Sequence, residues 1–293
     1  MNILITGGTG FIGSNLILEL KNKNIKNNIA VISRKKKISK NITYIFGDIK
    51  KINKIKKSII DFNPDVIVHL AWEGIPDLKY NKSILNLNNS INFFEQILNH
   101  ISCKKIIVTG SCLEYGTTKG KCIESQKITT DNFFSFAKIS LYNYLKFKQQ
   151  ENKFELIWFR VFYVYGNGQR KNSIIPYIFD CIKTKKNLKI TNLQNKNDYV
   201  NVKDVVNVIK FAIFKKVKSG IYNLGYGKSV SVEYILKYIE SLCKVKLKYK
   251  IKKAIKHSNF YSSNIKLFKN FKKFKLIKIE HGIKMYYEDL INK

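Results

Sequence analysis

Acidic residues and arginine are both scarce in this sequence. Only 20 Asp and Glu stand against 54 Lys and Arg in 293 residues, a formal charge of +34. Among the basic residues only positions 34, 160 and 170 are Arg. So large an excess of positive charge favours polyanions as partners. Guanidinium forks, however, and not ammonium groups, make the bidentate contacts that read bases and phosphates. The Lys residues are also spread along the chain, with modest clusters at 35–37, 51–57 and 244–256, amid abundant Asn and Ile. The charge therefore reads as a compositional bias, and no specific nucleic-acid partner is expected.

Other absences narrow the class further. Cys103, Cys112, Cys122, Cys181 and Cys243 are scattered, with no C-x-x-C pair and no clustered His, so neither a zinc site nor a disulfide framework is expected. No apolar run approaches the ~20 residues of a membrane span. The opening MNILITGG runs straight into a strand-and-turn pattern without a basic leader, which predicts a soluble cytoplasmic protein.

What is present is strong alternation. The apolar runs 2–7, 29–34, 42–47, 65–71 and 104–110 read as buried strands, and stretches of helical length lie between them at 11–22, about 51–62 and 84–100. Near-continuous Ile/Val runs suit a parallel sheet covered on both faces, and the strand–helix rhythm predicts a doubly wound α/β sheet. A long helix is expected over 133–150 and a strand over 154–160. Beyond it, short strands at 188–191, 198–202 and 220–223 mix with helices near 173–183, 203–215, 231–243 and 280–291. This predicts a dinucleotide-binding Rossmann domain over 1–165 and a smaller α+β substrate lobe over 166–293, with interleaved segments. The Lys-rich stretch 244–278 is broken by Tyr, Phe, Ile and Leu and reads as a Lys-decorated surface.

Gly7, Gly10 and Gly13 fall between the first strand and the first helix, in ITGGTGFIGSNLILEL. Glycines there let backbone N–H groups and the helix N-terminus approach a pyrophosphate, so Thr9, Gly10, Phe11 and Ile12 are expected to line a cofactor. The end of the second strand usually chooses the dinucleotide. It carries Ser33-Arg34-Lys35 and no acid, which favours NADP(H), with NAD(H) the alternative. Asp48, followed by Ile49, lies where a carboxylate could hold an adenine amino group, although an ordinary turn Asp fits as well.

Together and in order, several short motifs resemble the extended short-chain dehydrogenase/reductases, a family of nucleotide-sugar epimerases, dehydratases and reductases. They are TGGTGFIG (6–13), GDI (47–49), HLA (69–71), GSCLEYG (110–116), RVFYVYGNGQ (160–169), IIPYI (174–178), DYVNVKDVV (198–206) and YNLGYG (222–227). The resemblance implies that Leu70 and Ala71 border the cofactor and that Ser111 hydrogen-bonds the reacting sugar oxygen. It also implies that Lys138 binds the nicotinamide ribose, and that a Tyr four residues earlier moves the proton. Here that position is Phe134, which has no hydroxyl.

Tyr142 and Tyr144 also precede a Lys by four, but eight residues of helix displace a side chain by ~12 Å, too far to substitute. The missing phenol thus leaves three readings: an engineered replacement, a natural enzyme working through Ser111 or a water, or a homologue that binds without turnover. Dehydratases of the family carry an Asp-Glu pair where this chain has Cys112-Leu113, and epimerase/reductases of the GDP-fucose synthase type carry Cys where it has Leu113. Hydride transfer at the sugar C4 remains, most like the reductases of 4-keto-6-deoxy sugars in surface-glycan precursor synthesis, with 4-epimerisation the alternative. The resemblance also implies substrate contacts at Ser111, Cys112, Arg170, Asn172 and Tyr177, and a homodimer formed through the helices near 84–100 and 133–150. The family often has Arg where this chain has Asn197.

Overall fold

A computed structural model describes residues 1–21, 27–75, 78–190, 192–251, 259–271 and 274–292. The ends of the expected helix 11–22 and strand 188–191, and parts of the stretch 244–278, lie outside these residues. In chain order the first elements are β1 (Asn2–Thr6), α1 (Phe11–Lys21), β2 (Asn28–Ser33), β3 (Thr43–Phe46), α2 (Lys56–Phe62), β4 (Val66–His69) and α3 (Tyr80–Leu98). There follow β5 (Lys105–Ser111), β6 (Lys119–Cys122), α4 (Phe133–Asn152), β7 (Glu155–Val161), β8 (Tyr163–Tyr165), α5 (Ile174–Thr184), β9 (Leu188–Ile190) and β10 (Lys196–Asn201). The chain continues through α6 (Val202–Phe214), β11 (Gly220–Leu224), β12 (Ser229–Ser231), α7 (Val232–Cys243), β13 (Tyr249–Ile251), β14 (Asn259–Ser262), α8 (Ile265–Asn270) and α9 (Ile279–Ile291).

The chain divides into two compact units. The first comprises Met1–Thr117, Lys127–Arg160 and Val206–Tyr222; the second takes Thr118–Gln126, Val161–Val205 and Asn223–Lys293. A seven-stranded sheet in the order β11-β7-β5-β4-β1-β2-β3 organises the first unit. Strands β1, β2, β3, β4 and β5 pair in parallel, with Ile3 opposite both Ile29 and Val66. Alternate residues of β1 point to opposite faces, yet Ile3, Leu4 and Ile5 are all fully buried. Helices must therefore cover both faces. Leu4, Ile67 and Ile106 join a core with Phe93, Phe94 and Ile97 of α3 and Ala137, Leu141 and Leu145 of α4. On the other face a side chain at Gly8 would collide with both Val31 and Ile17, showing how closely α1 is laid on the sheet.

The expected helix at 51–62 is two pieces. A 3₁₀ turn over Ile49–Lys54 is broken by a non-helical Lys51, and α2 begins only at Lys56. The side chain of Asp48 caps the turn and starts the chain there, earlier than the apolar spacing indicates.

In the second unit β12, β10, β14 and β6 form a sheet, with β8 also on β10. The short pair β9/β13 is parallel, and α5, α7 and α9 supply Ile175, Ile178, Ile235, Ile239 and Ile283 to a separate core. Asp198 is fully buried in this sheet and its carboxylate accepts N–H groups from Tyr226, Gly227 and Ser262, as well as the Ser262 hydroxyl. One carboxylate thus gathers a loop and two strands.

Candidate active site

The turn after β1 requires glycine for two different reasons. Gly7 has φ +69°, and a side chain there would lie 2.6 Å from the backbone of Leu70 and Ala71 at the end of β4. At Gly13, which opens α1 one turn in, a Cβ would come 2.3 Å from the Gly7 carbonyl. That carbonyl accepts the Gly10 amide at 3.0 Å, and Gly10 accepts the Ser14 amide at 2.8 Å. Thr9 and Gly10 are exposed and Phe11 and Ile12 half-buried, so the backbone at the helix start is open to an anion. A cradle that side chains would fill, at the N-terminus of a helix, fits a dinucleotide pyrophosphate.

Beneath the turn runs a buried polar chain that the sequence does not announce. The Ala71 amide donates to Thr6 Oγ1 at 3.2 Å, and Thr6 Oγ1 lies 3.0 Å from His69 Nδ1. His69 Nε2 is 3.1 Å from Ser90 Oγ, whose proton goes to the Asn86 carbonyl at 2.8 Å. With both Ser90 and Thr6 so engaged, Nε2 carries the ring proton and Nδ1 accepts. Burial drives the His69 pKa down to about 3, with the Lys138 charge adding to the effect. The neutral ring, stacked on Phe93, ties the end of β4 to α3 and holds Leu70 and Ala71 against Gly7.

At the end of β2 the candidate residues are arranged less simply. Arg34 is exposed at the end of β2 and pairs with Glu73, which also binds Lys50 at 2.7 Å. Asp48 spends a carboxylate oxygen on the Lys50 amide at 3.0 Å, and Ile49 packs on the core. Sequence reading missed Glu73, because nothing in its spacing points to residues 34 and 50.

Ser111 ends β5 and caps the 3₁₀ turn Cys112–Tyr115. Its hydroxyl accepts the Leu113 amide at 3.2 Å, while Glu114 returns the bond by accepting the Ser111 amide at 2.7 Å. Glu114 is fully buried and also accepts the Trp158 indole N–H at 3.1 Å and Arg160 Nε at 2.9 Å. Burial raises its carboxyl pKa, opposed first by Arg160. Cys112 is buried.

The start of α4 is joined to this turn. Asn132 caps the helix through the Ser135 amide, and the Ser135 hydroxyl donates to the Leu113 carbonyl at 2.6 Å. Phe134 and Lys138, one helical turn apart, are both buried. Lys138 Nζ donates to the Thr109 carbonyl at 2.8 Å and sits 3.7 Å from the centre of the Trp72 ring. Phe134 meets the same ring edge-on at 5.8 Å. Burial lowers the Lys138 pKa to about 7, countered by the charge of Glu114. The structure thus places Phe134 and Lys138 against Trp72, a residue that sequence reading passed over, and ties Lys138 to Thr109 on the strand that Ser111 ends.

The two tyrosines of α4 point elsewhere. Tyr142 stands edge-on to Trp158, and Tyr144 Oη donates to Glu95 of α3 at 2.8 Å. In the second unit Arg170 and Asn172 are exposed on the segment before α5, and Tyr177 Oη accepts the Lys189 amide at 3.2 Å. Asn197 is buried on β10, with Nδ2 3.3 Å from Tyr199 Oη. Among the described residues no group of His, Cys, Asp or Glu is clustered to hold a metal, and no helix is long and apolar enough to cross a membrane.

The sequence and the fold are similar to those of known proteins. The chain is 27% identical to dTDP-4-dehydro-6-deoxyglucose reductase of Escherichia coli, over 81% of this chain and 80% of that protein. It is also 27% identical to dTDP-6-deoxy-L-talose 4-dehydrogenase (NAD(+)) of Aggregatibacter actinomycetemcomitans, over 86% and 94%. The fold superposes on UDP-glucuronic acid 4-epimerase of Bacillus cereus, solved with UDP-glucuronic acid and NAD, at a TM-score of 0.88. That match covers 100% of this chain and 99% of the other at 20% identity. Residues 3–225 match the NAD dependent epimerase/dehydratase family, and the chain belongs to it.

Proposed function

We propose that the protein reduces the C4 ketone of a nucleotide-linked 4-keto-6-deoxy sugar, using a nicotinamide dinucleotide, in the cytoplasmic synthesis of a surface-glycan precursor. The observation that carries this reading is the bond from Lys138 of α4 to the Thr109 carbonyl on β5, the strand that ends at Ser111, in a chain whose relatives include a dTDP-4-dehydro-6-deoxyglucose reductase and a dTDP-6-deoxy-L-talose 4-dehydrogenase. When bound, the dinucleotide supplies the hydride. The glycine turn holds its pyrophosphate through the amides of Thr9, Phe11 and Ile12, the Gly10 amide being given to the Gly7 carbonyl. Leu70 and Ala71 border it, and Lys138 holds the nicotinamide ribose.

The Ser111 hydroxyl is held at the turn by the Leu113 amide and hydrogen-bonds the ketone oxygen. Phe134 cannot donate a proton, so the proton reaches that oxygen from a water at Ser111, directly or through the Ser111 hydroxyl, which takes a proton from that water in turn, and Phe134 and Trp72 pack beside Lys138. Nothing at Cys112-Leu113 supplies the acid–base pair that elimination of water needs. Arg170, Asn172 and Tyr177 bind the nucleotide portion of the substrate. The exposed Phe133, Phe136 and Phe147 of α4 and Leu85 of α3 support a homodimer through these two helices.

The test compares the protein with Phe134→Tyr, mixing each with reduced dinucleotide and a panel of nucleotide-linked 4-keto-6-deoxy sugars while following nicotinamide absorbance. Turnover that is slow in the first and much faster in the second supports a ketoreductase working without its usual acid. Equal rates would remove position 134 from the proton path. No reaction in either, with dinucleotide bound, would hand the reading to a 4-epimerase or a nucleotide-sugar binding protein.

A further inference from the structure

Glu73 has no part in the chemistry above, yet it is a deliberately held group. Its carboxylate is shared between Arg34, from the end of β2, and Lys50, from the 49–54 turn. Its main chain is fixed on both sides by Asn86 of α3: the Glu73 N–H donates to Oδ1 at 2.9 Å, and its carbonyl accepts Nδ2 at 2.9 Å. Asn86 is itself buried. The hydrogen bond from Lys50, above all, holds the Glu73 carboxyl below its ordinary pKa, so it is charged at neutral pH.

The remaining groups at the end of β2 are turned to other tasks. The Ser33 hydroxyl donates to the Lys35 carbonyl at 2.8 Å and accepts the Lys35 amide at 3.2 Å. Lys36 Nζ lies 5.8 Å from the centre of the Phe46 ring and Lys37 Nζ 5.9 Å from that of Tyr44. Asp48 is bonded to the Lys50 amide. Arg34 reaches the loop after β4, and there it meets Glu73.

We propose that Glu73 selects the dinucleotide: by occupying Arg34 and Lys50 it disfavours a 2′-phosphate on the adenosine ribose, so the protein takes NAD(H) over NADP(H). This rests on the reading of the glycine turn as a dinucleotide site. A 2′-phosphate must displace the carboxylate from both cations or lie beside a like charge, whereas a 2′-hydroxyl is neutral and can donate to it. Arg34 alone argues for NADP(H); its partner, 39 positions along the chain, reverses the sign.

Binding of NADH and NADPH to the wild type, Glu73→Gln and the double variant Glu73→Gln/Arg34→Gln, followed by nicotinamide fluorescence, decides the matter. The wild type should bind NADH more tightly. Glu73→Gln should shift the NADPH-to-NADH affinity ratio by about tenfold towards NADPH, the scale of two exposed ion pairs, and the double variant should lose that gain. A wild type that prefers NADPH, or a ratio unmoved by Glu73→Gln, would overturn the inference and leave the dinucleotide site standing. If neither dinucleotide binds the folded wild type, the reading of the glycine turn fails and this inference falls with it.

Discussion

The ammonium nitrogen of Lys138 lies 3.7 Å from the centre of the Trp72 ring, and Phe134 packs edge-on against that ring. A cation removed from water is tolerated here because an aromatic face and one carbonyl, Thr109, receive it. Phenylalanine at position 134 thus completes the aromatic surroundings of Lys138.

Introducing a phenol at position 134 tests its part in the proposed reduction. Phe134→Tyr should raise the rate of sugar reduction by roughly 10²–10⁴, the usual contribution of a positioned acid. Steady-state turnover at saturating dinucleotide measures it. A gain confined to KM would mean that the new hydroxyl only binds substrate.

Lys138 should leave a mark on the pH dependence of stability. Its pKa is about 7 in the folded chain against an ordinary 10.5, so below pH 7 both states are charged and the burial penalty is fully present. Between about 7 and 10.5 the unfolded chain binds the extra proton, and raising the pH favours the folded state. Relative to Lys138→Met, the wild type should therefore gain stability across this window in urea titrations. A difference that stays flat with pH would mean Lys138 is hydrated.

His69 runs by the same sign in a lower window. Its folded pKa of about 3 lies below the ordinary 6.5, so its contribution is present above 6.5 and lost as the pH falls towards 3. Nitrogen NMR at pH 5 should find the neutral ring protonated at Nε2. An imidazolium signal at that pH would disprove the buried chain from Ala71 to Asn86.

Breaking the buried pair under Ser111 should be costly. Glu114→Gln leaves Arg160 with an uncompensated charge and should destabilise by about 3–5 kcal/mol in denaturant titrations. Pairing it with Arg160→Met should recover much of that loss, since the removal of both charges leaves none unpaired.

Gly13→Ala isolates the cofactor turn. Its Cβ would lie 2.3 Å from the Gly7 carbonyl, so the turn must open, and NADH binding should fall below detection while the far-ultraviolet circular dichroism stays close to wild type. Undiminished binding would show that the dinucleotide does not use this turn.

Local pattern carried most of the sheet. Strands β1, β2, β3, β4, β5 and β7 and helices α1, α3, α4, α5, α6, α7 and α9 lie close to where apolar spacing puts them, with α3 beginning at Tyr80, four residues before the periodicity shows it. Strands β6, β8, β12, β13 and β14 went unseen. They are three or four residues long, as in KGKC and SVS, and exist through pairing, with β6 and β12 joined to β10 through or beside β14. No sequence window of that length contains its partner.

The sequence by itself determined the doubly wound sheet, the glycine turn and the absence of a hydroxyl at position 134. Each of these is written in residue type and near-neighbour spacing, which chain stereochemistry converts directly into structure. Tertiary structure alone decided that Trp72 receives Lys138, that His69 is neutral, and that Glu73 holds Arg34 and Lys50. Those outcomes depend on which groups lose water together, and burial and charge pairing act between side chains that the chain order keeps tens of residues apart.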